Sequence, residues 1–342
     1  MRALDGQAGV SARPTMRDVA QAAGVSLKTV SRVVNGEPGV GAETSARVQQ
    51  AISSLGFSRN DLARSLRHGR TSDTVGLVIG DLANPFYSAI ARAAEQVASA
   101  HGHLLITGSS ERDAAREREL VRALAMRRVD GLLLVPSGDD HAFLAAEQRL
   151  GLPVVFLDRA PVALTADAVL LDNAAGARSA VRHLLAAGHT RIAVVGDALS
   201  VPTSAERRDG HRAALAEAGV ADDPALLRFG PHETAGAEAA ARELLALPDP
   251  PTAFFTTNNR NTIGVLRALR EEPKALALVG FDDFELADAL ATPITVVAHD
   301  PAEMGRVAAE LLFARLAGDT SPPVRLRLAT RLVPRGSGEI AP

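Results

Sequence analysis

The sequence contains no cysteine and no tryptophan, and aromatic residues make up only 3% of its 342 residues. The lack of cysteine excludes a disulfide framework, a thiolate zinc site and a cysteine nucleophile. No run of about 18 uncharged apolar residues occurs, and the N-terminus lacks the apolar stretch of a secretory signal. These absences predict a soluble, cytoplasmic protein with no membrane partner.

The charge is distributed unevenly, although the net charge is only -3. Residues 1–70 carry ten Arg or Lys against five Asp or Glu, and the rest of the chain carries 27 against 35. A basic end on an acidic body is typical of a protein that contacts nucleic acid at one end, but also of a solvated basic tail. Composition alone favours neither interpretation.

The pattern of residues 1–58 predicts a leader followed by three short helices. Residues 1–14 have no apolar period, which predicts a disordered leader. Helical patterns then cover 16–23, 27–35 and 42–55. We expect a small all-α unit over 15–58, followed by a hinge helix and linker over 59–72.

Strand-length apolar runs alternate with amphipathic helices from residue 74 onward, which is typical of parallel sheets covered on both faces. With 46% hydrophobic content, the chain is long enough for several packed units. Nine strands are more than one ordinary sheet holds, so the pattern predicts α/β architecture with two doubly wound parallel-sheet lobes over 73–340. The lobes should separate near Asp172, and the chain should return near His299. The predicted strands are 75–80, 103–107, 131–136, 154–158, 168–172, 191–196, 226–230, 253–257 and 275–281.

The segment MRDVAQAAGVSLKTVSRVVN has the spacing of a helix-turn-helix. Gly24 permits the turn between two helices and Ser26 caps the second. The small or apolar residues that recur at inward positions are Val19, Ala20, Ala23, Val25, Val30 and Val33. This arrangement leaves the start of the second helix facing outward, as base-reading helices do.

Together with this segment, the motifs LGFSRNDLARSLRHGRT, NPFYSAIARAAEQ, VVFLDR, RRDGHRAAL, ALVGFDD and PITVVAHDPAEMG resemble the LacI/GalR family of transcriptional regulators over nearly the whole chain. The resemblance implies a periplasmic-binding-protein-like sensor, a homodimer on a near-palindromic operator, and repression switched by a small molecule. No leucine heptad follows Arg335, which favours a dimer over a tetramer.

The resemblance also assigns roles to residues of the headpiece. Leu27 and Lys28 hold the positions that select bases, and Arg32 the position that pairs with a base or a phosphate. Four further residues are expected to bond phosphates: Thr15, Thr29, Ser31 and Asn35. Two positions depart from the family pattern, since Gly41 replaces a serine cap and Ser45 replaces an arginine.

The hinge segment NDLARSLRHGR resembles one that forms a helix on DNA in this family. There Ala63 would let two hinge helices approach, and Leu66 would enter the minor groove as a wedge. A lone leucine on a short helix also reads as an ordinary packing residue, which is the alternative.

Polar residues at strand ends are the candidates for the sensor site, because ligands of such sheets bind beyond the carboxyl ends of the strands. The candidates are Asp158, Arg207, Asn258 and Asp282. Taken singly, each residue is more often a helix cap or a solvated charge than a ligand contact, but the resemblance implies that they converge between the lobes. Carboxylate, guanidinium and amide groups suit vicinal hydroxyls, which predicts a sugar or sugar derivative.

The NPFY turn supplies Phe86 and Tyr87 as an apolar wall, while Asn84 is expected to cap the helix that follows. Two departures lie near this site. Asn259 replaces a family aspartate, and the connection near 271–275 is shorter than in the family.

Catalysis finds little support, because no GxSxG elbow, Walker loop, HExxH or GxGxxG follows a strand. His101 and His103 are interpreted as caps or packing residues, and the adjacent carboxylates Asp282 and Asp283 do not make a cation cage. We expect no enzyme activity, no metal and no cofactor. An exported sugar-binding protein would share the two lobes but would have a signal sequence and no headpiece.

Overall fold

The computed structural model describes residues 14–57, 72–230 and 232–342. Its contacts separate into two compact units, which meet in the sequence between Ser72 and Asp73. Residues 1–13 of the predicted leader lie outside the described residues, and so do the hinge residues Ala63 and Leu66.

The first unit consists of three helices, α1 (Met16–Ala23), α2 (Leu27–Asn35) and α3 (Ala42–Leu55). Gly24 ends α1 in the left-handed conformation at φ 64°, which glycine adopts without strain. Ser26 accepts a hydrogen bond from the Thr29 amide and so caps α2. The core between the helices contains Val19, Ala20, Ala23, Val30, Val48 and Ala51. The predicted helix-turn-helix is therefore formed.

The second unit alternates strands and helices. Its strands are β1 (Thr74–Ile79), β2 (Leu104–Ser109), β3 (Gly131–Leu134), β4 (Val154–Leu157), β5 (Asp167–Leu171), β6 (Ile192–Asp197), β7 (Leu227–Gly230), β8 (Ala253–Thr256), β9 (Ala277–Phe281), β10 (Thr295–Ala298), β11 (Arg325–Leu328) and β12 (Arg331–Val333). Its helices are α4 (Pro85–Ala100), α5 (Ala114–Met126), α6 (Ala145–Arg149), α7 (Asn173–Ala186), α8 (Pro202–Glu217), α9 (Thr234–Leu245), α10 (Asn259–Leu269) and α11 (Pro301–Leu316).

These strands form two sheets, one for each lobe. The first lobe has the strand order β11-β5-β4-β3-β1-β2, and the second has β12-β10-β9-β8-β6-β7. All neighbours are parallel except β12, which runs antiparallel to β10. Most strands are buried along their whole length, as expected of sheets covered by helices on both faces. The prediction of a helical headpiece, followed in the sequence by two doubly wound lobes, is confirmed.

The prediction of nine strands was wrong by three, because β10, β11 and β12 were missed. β11 has the sequence RLRL and is largely exposed at the edge of its sheet, so it lacks the continuous apolar run of a buried strand. β12 has only three residues. β10 is buried and has four residues, as many as the predicted β3 and β4, so its length does not explain why it was missed.

Three segments join the lobes. The chain leaves the first sheet after Leu171, returns to that lobe between β10 and α11, and crosses again between β11 and β12. The strands beside the crossings are β5 and β11 in one sheet and β10 and β12 in the other. All three crossings therefore lie at the same edge of the two sheets.

Three helix pairs cover the sheets, α4 with α11, α7 with α8, and α9 with α10. Each pair has one glycine at its closest approach. A Cβ on Gly305 of α11 would lie 2.4 Å from the Ile90 carbonyl oxygen, and one on Gly210 of α8 would lie 2.2 Å from the Ala174 carbonyl oxygen. A Cβ on Gly264 of α10 would likewise lie 2.5 Å from the Thr234 carbonyl oxygen. Any side chain at these positions would push the helices apart.

Candidate functional site

The outward face of α2 is the first candidate surface. Leu27 is 47% exposed and Lys28 is also exposed, so both side chains are free to contact a macromolecule. Arg32 is half-buried, and its guanidinium lies over Gly39, where an added Cβ would be 3.7 Å from Nη1. The start of α2 therefore presents an apolar side chain and a cation next to each other.

Thr15, Thr29 and Asn35 make local hydrogen bonds around this surface. Thr15 caps α1, because its Oγ1 accepts from the Asp18 amide and the Asp18 carboxylate accepts from the Thr15 amide at 2.7 Å. These hydrogen bonds lower the pKa of Asp18. The Thr29 hydroxyl lies 2.9 Å from that of Ser26. To contact a phosphate, the Thr15 and Thr29 side chains must share these local hydrogen bonds or give them up.

The side chain of Asn35 donates to Ser31 at 3.4 Å and to Glu37 at 3.2 Å. Gly41 begins α3 in an extended conformation and provides no side-chain cap. As expected from the sequence, α3 therefore begins without the serine cap of the family pattern.

The second candidate is the cleft between the two lobes. It is lined by all six residues singled out in the sequence: Phe86, Tyr87, Asp158, Arg207, Asn258 and Asp282. They come from the loops after β4, β8 and β9, from the first turn of α4 and from the second turn of α8. The carboxyl ends of the two sheets thus face each other across one space, as in other open α/β sheets that bind ligands.

Two aspartates sit in the same local backbone setting, directly after a strand of each lobe. Asp158 follows β4 with φ 65°, and Asp282 follows β9 with φ 69°. Aspartate tolerates this left-handed conformation better than bulky residues do. The turn directs each carboxylate into the cleft, where Asp158 is 7% exposed.

Arg207 lies at the centre of the polar groups and is only 6% exposed. Its Nε donates to Asn173 Oδ1 at 2.9 Å, and Nη1 donates to the Thr257 carbonyl. Nη1 also lies 3.6 Å from Asp282 Oδ2. The guanidinium carbon is 3.7 Å from the centroid of the Phe281 ring. Stacking and hydrogen bonding together fix the guanidinium in one orientation.

The two aspartates differ in their electrostatics. Burial raises the pKa of Asp158, and the nearby Arg159 and Arg207 offset this only in part. Burial would also raise the pKa of Asp282, but the charge of Arg207 and the hydrogen bond from His299 outweigh it, so that pKa is lowered. His299 Nε2 lies 3.0 Å from Asp282 Oδ1. Asp282 therefore stays a charged acceptor.

The aromatic residues of the cleft form one wall. Tyr87 and Phe86 pack edge to face with centroids 4.8 Å apart, and Phe86 meets the His299 ring at 5.5 Å. Burial raises the pKa of Tyr87 to about 12, so its hydroxyl stays protonated. Asn84 caps α4 as expected, with its Oδ1 accepting from the Phe86 amide at 3.1 Å.

Sequence reasoning missed several residues that also line the cleft: Arg112, Arg159, Asp197, Thr203, His232 and Arg260. Asp197 ends β6 and Arg159 follows Asp158, so the strand-end rule could have found both. Arg112 and Arg260 contact partners in the other lobe, which no local pattern reveals. Asn259, noted as a departure, does not line this space but donates to Asn84 Oδ1 across the lobes at 3.1 Å.

A separate group of side chains lies where β1, β2 and β3 begin. Asp73, His103 and Asp130 have potential ligand atoms within 4.8 Å of one another. His103 Nε2 is 3.4 Å from the Asp130 carboxylate, which also accepts from the Thr74 amide. His101 stacks on Phe313 at 4.1 Å. Through these contacts the group links the starts of β1, β2 and β3.

Within the described residues, no helix is both long and apolar enough to cross a membrane.

Two family profiles match the sequence. The profile described as bacterial regulatory proteins, lacI family, matches residues 15–60. That of a periplasmic binding protein-like domain matches residues 181–338. The ribose operon repressor of Escherichia coli (strain K12) is 35% identical over 328 residues, which cover 94% of this chain and 99% of the relative.

Solved structures agree with these matches. A complex of the transcriptional regulator CelR with cellobiose is 34% identical, covers 95% of this chain and 100% of its own, and superposes with a TM-score of 0.70. The lac repressor dimer bound to operator and the anti-inducer ONPF is 26% identical, covers 96% and 99%, and has a TM-score of 0.82. These relatives are transcription regulators.

Proposed function

The chain belongs to the lacI family of bacterial regulatory proteins, and on that basis we propose that its first unit reads operator DNA while the cleft of its second unit binds a sugar or sugar derivative. It is a transcriptional repressor whose operator affinity is switched by this effector. The observation that carries the proposal is the convergence of all six expected effector residues on one interlobe cleft.

The chemistry of the cleft supports a polyhydroxylated ligand. Asp158 and Asp282 accept hydrogen bonds, Arg207 donates them, and the Asn258 side chain can do both. A sugar presents hydroxyls that donate and accept, and its apolar ring face suits the wall of Phe86 and Tyr87. The cellobiose complex of the related regulator supports the same ligand class.

On the DNA side, Leu27 and Lys28 contact bases, Arg32 contacts a base or a phosphate, and backbone phosphates are bound by Thr15, Thr29, Ser31 and Asn35. Exposure of the first two side chains at the start of α2 supports their role. Ala63 and Leu66 complete the proposal as the hinge-helix contact and the minor-groove wedge. They belong to the segment 59–72, between the headpiece of 15–58 and the sensor of 73–340.

The regulator acts as a homodimer, because a near-palindromic operator presents two equivalent half-sites. The related lac repressor structure is a dimer on its operator. We place the protein in the cytoplasm, where its DNA target lies, and assign it no catalytic role, metal or cofactor.

Switching requires that the effector bind the two states of the regulator with different affinity. A coupling free energy of about 1 to 3 kcal/mol changes DNA affinity by about 5- to 150-fold. The cleft is the place where such a difference can arise, because its ligand groups belong to both lobes.

The test combines a ligand screen with a DNA-binding assay. Thermal-shift screening of the full chain against monosaccharides, disaccharides, sugar acids and nucleosides should raise Tm for a sugar. That sugar should then change operator affinity, measured by fluorescence anisotropy on a DNA site selected from a random pool. A sugar that raises Tm but leaves DNA binding unchanged would contradict the switch. Stabilisation by nucleosides alone would contradict the ligand class.

A further inference from the structure

The charged residues of the cleft are not spread evenly along the two sheets. Asp158 follows β4 and Asp282 follows β9, which lie in the inner half of the sheets, towards the crossing segments. Arg112 follows the edge strand β2, and Asp197 ends β6, next to the edge strand β7. The outer half of the cleft therefore carries its own pair of opposite charges.

This outer pair joins the lobes directly. Arg112 Nη2 of the first lobe lies 3.0 Å from Asp197 Oδ2 of the second. A second cross-lobe ion pair, between Asp81 and Arg260, lies nearby after β1 and β8. Both pairs are largely shielded from solvent. The lobes are thus held together on the outer side by two ion pairs between protein side chains.

Asp197 is a firmly charged member of its pair. His232 Nδ1 lies 3.2 Å from Asp197 Oδ1, while Arg112 occupies Oδ2, so both carboxylate oxygens have partners. Burial would raise the pKa of Asp197, but the contacts with His232 and Arg112 outweigh it and lower that pKa. The salt bridge is consequently intact at neutral pH.

A second cavity lies beyond this pair. Its walls come from the loops after β2, β3, β4 and β6 and from the start of α8, and include Ser137, Val162 and Ser200. Arg112 and Arg159 line both this cavity and the cleft, so their side chains form the shared wall. The cavity offers about 350 Å³ of free space, whereas the closed cleft offers about 40 Å³.

We propose that Arg112 and Asp197 act as a partition that stops the effector from extending beyond one sugar ring on the outer side of the cleft. The inference rests on the proposed function, because it specifies the size of the sugar in the same cleft. A ring held by Asp158 and Asp282 occupies the inner half. A second ring linked to it on the outer side has room beyond Arg112.

The partition discriminates because a disaccharide that extends towards the outer side must separate the pair in order to bind. Separating two shielded opposite charges leaves each without its partner, which is strongly unfavourable unless the ligand replaces every contact. A monosaccharide leaves the pair closed. The cleft thus favours a monosaccharide in two ways. Its polar side chains bind the single ring, and the Arg112–Asp197 ion pair hinders a second ring.

The test is calorimetric titration of the full chain with ribose, glucose and galactose, and with cellobiose as the two-ring probe. The wild-type protein should bind at least one monosaccharide at least tenfold more tightly than cellobiose. Arg112→Ala should raise the ratio of cellobiose affinity to monosaccharide affinity at least tenfold, because it joins the two cavities. Arg112→Lys keeps a cation and should restore the wild-type ratio to within about threefold.

Arg242→Ala is the matched control, since it removes an exposed ion pair with Glu271, whose two members line neither cavity. It should leave the ratio unchanged. If Arg112→Ala does not fold, Asp197→Ala opens the same partition from the other lobe and is judged by the same ratio. Equal binding of both sugar sizes by the wild type, or an unchanged ratio in the folded variant, would overturn the partition while leaving sugar sensing intact. Failure of every sugar to bind would overturn both proposals.

Discussion

The guanidinium of Arg207 donates from Nε to Oδ1 of Asn173 at 2.9 Å. Arg207 lies at the centre of the cleft, and Asn173 is the first residue of α7, directly after the first crossing segment. Asn173 also donates to Glu206 at 2.8 Å. A ligand that engages Arg207 therefore acts on a group that is already bonded to the connection between the lobes.

Replacing Arg207 with alanine should weaken effector binding by about tenfold to a hundredfold, because each hydrogen bond to a charged group contributes about 1.5 to 3 kcal/mol. Calorimetric titration with the sugar found by screening measures the change. Arg242→Ala serves as the control and should bind as the wild type does. Undiminished binding by a folded Arg207→Ala protein would remove Arg207 from the site.

Replacing Lys28 with alanine should weaken binding to the selected operator by about tenfold or more, since a good base contact contributes about 1 to 3 kcal/mol of discrimination. Anisotropy titrations at several salt concentrations separate two roles. A base contact lowers the preference for the selected site over random DNA, whereas a phosphate contact lowers affinity for both and flattens the salt dependence. Lys274→Ala, in the sensor unit, should change neither. Wild-type affinity and wild-type salt dependence in Lys28→Ala would refute any contact by Lys28.

His211 should make the sensor less stable in mild acid. It is 1% exposed, and among the described residues neither ring nitrogen has a hydrogen-bond partner. Burial lowers its pKa to about 4, while Asp222 and Arg212 act in opposite directions. The unfolded chain binds the proton first as pH falls, so the stabilisation is complete at neutral pH and is lost progressively from about pH 6.5 to about pH 4.

The full loss for this one group amounts to about 3 kcal/mol. Urea unfolding of the wild type and of His211→Gln at pH 7 and pH 5 isolates it from the other buried histidines, because these contribute equally to both proteins. The stability difference between the two proteins should shift in favour of the variant at pH 5. A difference independent of pH would show that His211 titrates normally.

Replacing Gly305 with alanine should destabilise the sensor by about 1 to 3 kcal/mol, as expected for overpacking at a close helix contact. Helix propensity alone would predict the opposite effect, because alanine in a helix is more favourable than glycine by about 1 kcal/mol. A loss of stability would therefore report the close helix contact. Ala314→Ser, on the exposed face of the same helix, should change stability by less than about 0.5 kcal/mol. Denaturant unfolding compares the two variants, and a stabilised Gly305→Ala would show that α4 and α11 are not in close contact.

Much of the fold could be predicted because burial leaves a continuous local signal. Strands such as Gly131–Leu134 and Val154–Leu157 are buried on both faces and therefore apolar throughout. The edge strand Arg325–Leu328 is exposed and pairs with residues more than 150 positions earlier, so its identity depends on the rest of the sheet. The local sequence pattern therefore does not reveal such a long-range strand pairing.

The same distinction applies to the cleft. Asp158 and Asp282 could be identified because each directly follows a recognisable strand and the carboxyl ends of parallel strands meet. Arg112 is 85 residues from its partner Asp197, and Arg260 is 179 residues from Asp81. These contacts depend on how closely the lobes approach, and that distance is set by the packing of the whole unit.

The three crossings at one edge of the sheets have a consequence for how the lobes move. Three connections arranged in a row suppress sliding and leave a swing about the line through them as the low-energy motion. The displacement in such a swing grows with distance from its axis. Arg112 and Asp197, in the outer half of the cleft, therefore travel further than Asp158 and Asp282, and a small change of angle near Asn173 becomes a larger separation of the outer pair.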